Sequence, residues 1–280
     1  MAKINWFPGH MTKALREMEE EAKNVDMIIY VLDARAPKSC VNPEFIKIIG
    51  NKPILYVLNK ADMVEEQDLK PFLPYFKKPN TEAVLLDSTK SGAIKQIEPI
   101  MVNLCQEKLN KYKQKGFKIN LRAMVLGVPN SGKSTLINNL CGSKKTITGN
   151  KAGVTRGKQW LALKNGFEVL DTPGTLYPNI TNQQIALNLA FIGSIKNEVV
   201  DINELAIDFL NFCKKHYFNN LQEKYNLQDK TMSALEMLDE IATFKHYLLK
   251  GAEPDYDRTC MAIIDDFRKG KLGKIILDVK

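Results

Sequence analysis

Two short stretches, taken in their order along the chain, limit what it can fold into. "GVPNSGKS", Gly127 to Ser134, matches Gly-x-x-x-x-Gly-Lys-Ser. It lies between a branched apolar run, "RAMVLG" (122–127), and a stretch at helical spacing, "GKSTLINNL", which is the strand-loop-helix context this pattern needs. Glycines there let backbone N–H groups curl round phosphate oxygens, a lysine neutralises the outer phosphates, and a hydroxyl reaches Mg²⁺. Asn130, Ser131, Gly132, Lys133, Ser134 and Thr135 are therefore the expected phosphate-binding residues. The second stretch, "YVLNKAD" (56–62), precedes the first by some seventy residues. It places Asn59, Lys60 and Asp62 after an apolar run, where a carboxylate can accept two hydrogen bonds from guanine N1–H and the exocyclic amine, which adenine does not offer.

Two further motifs complete the set. "DSTK" (87–90) follows another apolar run and fits a loop that closes over the base through Ser88 and Thr89. "DTPG" (171–174) follows "FEVLD", where Asp171 can hold Mg²⁺ through water and the Gly174 N–H can sense the outermost phosphate of GTP. Between phosphate loop and DTPG, "AGVTR" (152–156) offers Thr155 as the switch threonine for Mg²⁺ and the γ-phosphate, with Thr146 and Thr148 as competitors. The order is base reader, base-loop closer, phosphate loop, switch I, switch II, a circular permutation of the usual arrangement. A sheet with neighbouring termini tolerates new ends between elements.

The rest of the chain fits an α/β domain followed by helices. Apolar runs at 27–33, 53–59, 83–87 and 122–127 are separated by helical stretches, as in a parallel sheet covered on both faces. The runs 158–163 and 167–171 predict a hairpin across "KNG". Thr12 is expected to cap a first helix carrying Leu15, Met18, Ala22 and Val25, and a lysine-rich helix or linker is expected over 92–118. From residue 180 onward the apolar spacing is three and four, so that region is expected to be wholly helical. The expected domains are thus 1–178 and 179–280.

Composition narrows the class further. No window approaches the ~18 uninterrupted apolar residues of a membrane span. The first ten residues form neither a signal core nor a transit segment, so a cytoplasmic location is expected. Five cysteines lie far apart with no metal-ligand spacing, which implies neither zinc nor disulfides. Of the formal charge of +8, the basic part is concentrated: no Asp or Glu occurs between Lys108 and Phe167, whereas residues 201–280 hold twelve Lys/Arg against fourteen Asp/Glu. A polyanion-facing surface around the phosphate loop is the expectation; a plain solvated face is the alternative.

The motif order, together with "WFPGHM" (6–11), "DARAP" (33–37), "GVPNSGKS", "GVTR" and "DTPG", resembles the bacterial ribosome biogenesis GTPase A family over nearly the whole chain, including "GAEPDYDRTCMAIIDDFRKGKLG". The resemblance implies a Ras-like permuted GTPase that converts GTP to GDP and phosphate late in maturation of the large (50S) ribosomal subunit, with turnover stimulated by the subunit. The helical domain would help hold rRNA, and the protein would be monomeric off the ribosome. It also implies that His10 replaces the missing water-orienting glutamine; a histidine can handle a proton near neutral pH, although a lone histidine is more often structural. Asn130 is similar to the asparagine that binds K⁺ in cation-stimulated GTPases, and otherwise reads as a turn-forming Asn. Where the family carries an apolar residue after DTPG, this chain has Thr175. Three rivals remain. A GTP-dependent RNA-binding scaffold would make hydrolysis incidental, a small-subunit permuted GTPase would carry a β-barrel and zinc ligands, and an ATPase is opposed by Asp62.

Overall fold

The structure is a computed structural model, and it describes residues 9–117, 120–142, 159–163, 166–178 and 180–279. Six strands form one sheet: β1 (Met27–Asp33), β2 (Ile54–Asn59), β3 (Thr81–Leu86), β4 (Leu121–Leu126), β5 (Gln159–Ala162) and β6 (Phe167–Asp171). Their spatial order is β3-β2-β1-β4-β6-β5, parallel except for β5, which pairs antiparallel with β6. Every residue of β1 and β2 is buried, which is why these runs are apolar without alternation. The permutation is visible in this order. The strand entering the phosphate loop, β4, lies in the middle; the later strands β6 and β5 occupy one flank, and β1 to β3, earlier in the chain, fill the other.

Helices α1 (Gly9–Ala22), α2 (Pro43–Ile49), the short α3 (Glu66–Leu69) and α4 (Leu73–Phe76), then α5 (Ala93–Leu104), α6 (Gln106–Gln114) and α7 (Lys133–Cys141) accompany the sheet. Beyond it come α8 (Gln183–Phe191), α9 (Ile202–His216), α10 (Phe218–Tyr225), α11 (Ala234–Phe244) and α12 (Tyr256–Arg268). One apolar cluster joins one sheet face to α5 and α7, through Ile29, Val57, Ile97 and Leu136. The cluster on the other face takes in α1, α2 and the C-terminal helices together, from Tyr30 and Leu126 to Phe191, Phe209 and Phe267. The helical region therefore shares a core with the sheet. Phe209 stands between Phe191 and Phe267, with ring centroids 5.3 and 4.8 Å away, close enough for aromatic pairing beyond simple burial.

Three expectations are corrected. The first helix starts at Gly9, so Thr12 is an exposed residue inside α1 and caps nothing. The lysine-rich segment is two helices, with a break at Cys105, where φ is −102° and ψ 9°. The last ten described residues are not helical: Ile275, Ile276 and Leu277 are buried, and their backbone bonds to other elements, Ile275 N–H to Met63 O and Leu277 N–H to Arg35 O. Apolar spacing cannot separate such a docked strap from a helix turn. Among the described residues no helix is long and apolar enough to cross a membrane. No group of three or more His, Cys, Asp or Glu side chains there could hold a metal, and all five cysteines are buried and outside any disulfide.

Candidate functional site

Parallel α/β sheets present their binding loops where the strands end, and register aligns those ends here. Asp33 pairs with Asn59, Asn59 with Leu86, and Val125 with Asp171. The phosphate loop leaves β4, NKAD leaves β2, DSTK follows β3 and DTPG follows β6. Segments more than a hundred residues apart in sequence thus meet at one rim.

Hydrogen bonds tie three of these loops into one unit. The Asn59 amide donates to Ser131 O at 2.8 Å, and its Oδ1 accepts from Ser88 N–H at 3.0 Å. Gly132 has φ of 95°, and a Cβ on it would run into the Asn59 amide, so this position requires glycine. Asp62 stands exposed in the turn Ala61–Met63, while Ser88 is buried and Thr89 is exposed. Sequence reasoning did not single out Asn139 on α7, whose amide donates to Ser88 O at 3.1 Å and to Lys90 O. An Asn in mid-helix, against its propensity, was the available signal.

The charged end of the site is compact. Lys133, nearly buried at the start of α7, donates to Gly127 O at 3.0 Å and Val128 O at 2.9 Å. Burial lowers its pKa to about 8, against the pull of Asp171. Burial likewise raises Asp171, to about 6, opposed by Lys133. Asp171 Oδ1 is buried with no hydrogen-bond partner among the described residues. Ser134 and Thr135 occupy the first turn of α7, half-buried. Gly174 lies against the phosphate loop: a Cβ there would be 2.7 Å from Pro129 Cα and 2.8 Å from Lys133 Nζ. Thr172 Oγ1 fastens the same segment to Val125 O at 2.6 Å.

Thr175 is buried, and its hydroxyl has no partner among the described residues. The next residue, Leu176, turns its N–H to Met11 Sδ at 3.4 Å, 165 positions away. The neighbour of His10 therefore touches the segment after DTPG. Only the backbone of His10, in the first turn of α1, is described. Thr155, Thr146 and Thr148 lie outside the described residues.

Asn130 (φ 60°) donates its amide to Gly193 O at 2.6 Å, and its carbonyl accepts from Lys60 Nζ at 2.7 Å. Lys60, itself left-handed at φ 60°, also contacts Asp33 Oδ2 at 2.7 Å. Asp33 and Arg35, quoted above only as part of "DARAP", thus belong to the site's supports.

The chain matches the family model described as 50S ribosome-binding GTPase over residues 122–244. That match starts at the strand entering the phosphate loop and leaves out Asn59 and Asp62, as a permuted order requires. Ribosome biogenesis GTPase A of Bacillus cereus is 39% identical over 98% of this chain and 93% of its own length. The protein of that name from Thermotoga maritima is 31% identical over 97% and 93%. A crystal structure of GNP-bound YlqF from T. maritima superposes with a TM-score of 0.64 at 26% identity, covering 95% of this chain and 97% of that one. With its motif order, sheet order and near full-length likeness in agreement, the chain belongs to the ribosome biogenesis GTPase A family.

Proposed function

We propose that this GTPase binds GTP across the rim formed by Gly127–Thr135, Asn59–Asp62, Ser88–Thr89 and Asp171–Gly174, and hydrolyses it to GDP and phosphate during assembly of the large ribosomal subunit. The observation that carries the reading is the joining of phosphate loop, NKAD and DSTK through the buried Asn59 amide. Asp62 reads the guanine edge. Lys133 exchanges its two loop carbonyls for phosphate oxygens, and Gly174 N–H faces the γ-phosphate across the short gap to Pro129.

Mg²⁺ fits the residues present. Asp171 brings a buried oxygen lacking a partner among the described residues, and Ser134 lies beside Lys133 on the same helix turn. Ser134, Thr155 and Asp171 would hold the ion, which when bound offsets charge on the phosphate oxygens. The K⁺ expectation at Asn130 rests on its side-chain oxygen, since its backbone carbonyl accepts from Lys60 and its amide nitrogen donates to Gly193 O; no step here uses K⁺. His10 is assigned to the attacking water, supported by the contact of Met11 with Leu176. The domains are 1–178 for GTP and 179–280 for rRNA, working in the cytoplasm as a monomer when off the ribosome.

Competition binding of guanine, adenine and xanthine nucleotides tests the site. GTP and GDP should bind and ATP should not, and Asp62→Asn should weaken guanine nucleotides at least a hundredfold, a moderate share of what a site built to hydrogen-bond its ligand can enforce. Unchanged nucleotide choice in Asp62→Asn would remove the guanine-reader assignment.

A further inference from the structure

Asp33 and Arg35 are the most deeply buried charged pair outside the proposed chemistry. Arg35 is 1% exposed and Asp33 0%. Arg35 donates Nε to Asp33 Oδ1 at 2.9 Å and Nη2 to Oδ2 at 2.7 Å, a two-point fork. Its Nη1 reaches the other way, to Phe267 O at 3.2 Å and Arg268 O at 3.3 Å, and its guanidinium lies 4.9 Å from the Phe267 ring centroid. Those carbonyls are at the C-terminal end of α12, where helix acceptors lack intrahelical partners and the helix dipole favours a cation.

Following each bond onward returns to the starting point. Arg268 donates Nε to Phe191 O at 3.0 Å and Nη2 to Ala190 O at 2.7 Å, gripping the end of α8. Past Ile192, two residues hold the phosphate loop: Gly193 O accepts from Asn130 Nδ2, and Ser194 Oγ donates to Pro129 O at 2.7 Å. The carbonyl of Asn130 accepts from Lys60, whose ammonium closes the circuit on Asp33. A Cβ on Gly193 would be 3.2 Å from Arg268 Nε, so the crossing is tight.

We propose that Arg35 is a positioning residue that makes guanine-nucleotide affinity depend on docking of the C-terminal helices, by holding the base-reading turn and the phosphate loop in one hydrogen-bonded ring with α8 and α12. This rests on the reading of residues 59–62 and 127–135 as the nucleotide site. Arg35 and Asp33 touch no nucleotide in this reading. They fix the left-handed Lys60 and Asn130, two loop residues whose conformations a free chain would rarely adopt. Linkage is reciprocal, so nucleotide bound at the loops must tighten the grip on α8 and α12 by the same factor. The path is separate from DTPG and acts through the back of the phosphate loop. A partner that pulls the helical region away would therefore loosen nucleotide without touching it.

The test uses the full chain with a fluorescent GDP analogue for affinity and backbone hydrogen exchange for docking. The variants are Arg35→Gln, Arg268→Gln and the double variant. Arg35→Gln should bind GDP about tenfold more weakly, within the usual span of couplings. The double variant should lose no more than the weaker single one, since both break one ring; independent damage would add. In the wild type GDP should slow exchange over 190–197 and 265–277, and in Arg35→Gln that slowing should vanish. Affinities within twofold of wild type, additive losses, or slowing retained in Arg35→Gln would each overturn the proposal. Should Arg35→Gln fail to fold, Arg35→Lys, which keeps the charge on Asp33 but cannot reach carboxylate and helix carbonyls together, is read in the same way. Failure of the wild type to bind GDP would sink the nucleotide site itself, whereas wild-type binding with indifferent variants sinks the coupling alone.

Discussion

Asp33 shows how much a single side chain can be asked to hold. Burial by itself would raise its pKa, but Arg35 and Lys60 reverse this and keep the carboxyl well below the usual range. A carboxyl depressed on folding adds stability that is fully present above its unfolded pKa, about 3.9, and is lost as pH falls through that range. Urea unfolding between pH 3 and 7 should therefore show wild-type stability dropping below about pH 4 more steeply than Asp33→Asn, by up to ~1.4 kcal/mol per pH unit for one group. Equal slopes would mean the carboxyl is not depressed. Gly174 gives a second expectation. Gly174→Ala drives a Cβ into Pro129 backbone at 2.7 Å, so it should cost ~1–3 kcal/mol by overpacking and abolish measurable GTP turnover. At this scale the motif residues were legible, because phosphate and guanine demand particular atoms at particular spacings. Arg35 was not: nothing in "DARAP" indicates that its guanidinium meets carbonyls 232 and 233 positions later.

Elements succeed or fail to be read according to what their sequence has to satisfy. The buried strands are continuous apolar runs because both faces are covered, and the expected runs match β1, β2 and β4 within a residue at either end. The hairpin of β5 and β6 was equally legible. The start of α1 was missed because Thr12 is a good cap by type while the helix already begins at Gly9. The terminal strap was missed because Ile275 to Leu277 look like a helix face, whereas their backbone bonds to Met63 and Arg35. Helix α7 also does more than lead away from the phosphate loop, since Asn139 reaches back to the Ser88 turn. Asn139→Ala should weaken GDP binding by about tenfold, the scale of one lost hydrogen bond to a partly buried carbonyl, with little shift in melting temperature. A GDP affinity equal to wild type would show that the turn holds itself.

Across the whole molecule, charge is distributed less simply than along the chain. Lys111, Lys113 and Lys115 are exposed on and just after α6, yet Lys108 pairs with Asp26, and Arg122 with Glu168 at 2.9 Å. The acid-free stretch thus meets acids brought by other segments, Asp26 just before β1 and Glu168 in β6, and fewer of its cations remain for a polyanion. Binding to large subunits should still weaken with salt, each phosphate neutralised adding roughly 0.7–0.9 to the log–log slope; a flat response would exclude the polyanion surface. The permutation matters at this scale too, because DTPG runs within a dozen residues into α8, and Gly193 and Ser194 just beyond that helix contact Asn130 and Pro129. The most direct measurement is GTP turnover by the wild type and His10→Ala, with and without purified large ribosomal subunits. Turnover should rise sharply with subunits and collapse in His10→Ala. GTP-dependent binding to subunits with no rise in turnover would contradict it, and would leave a GTP-gated scaffold in its place.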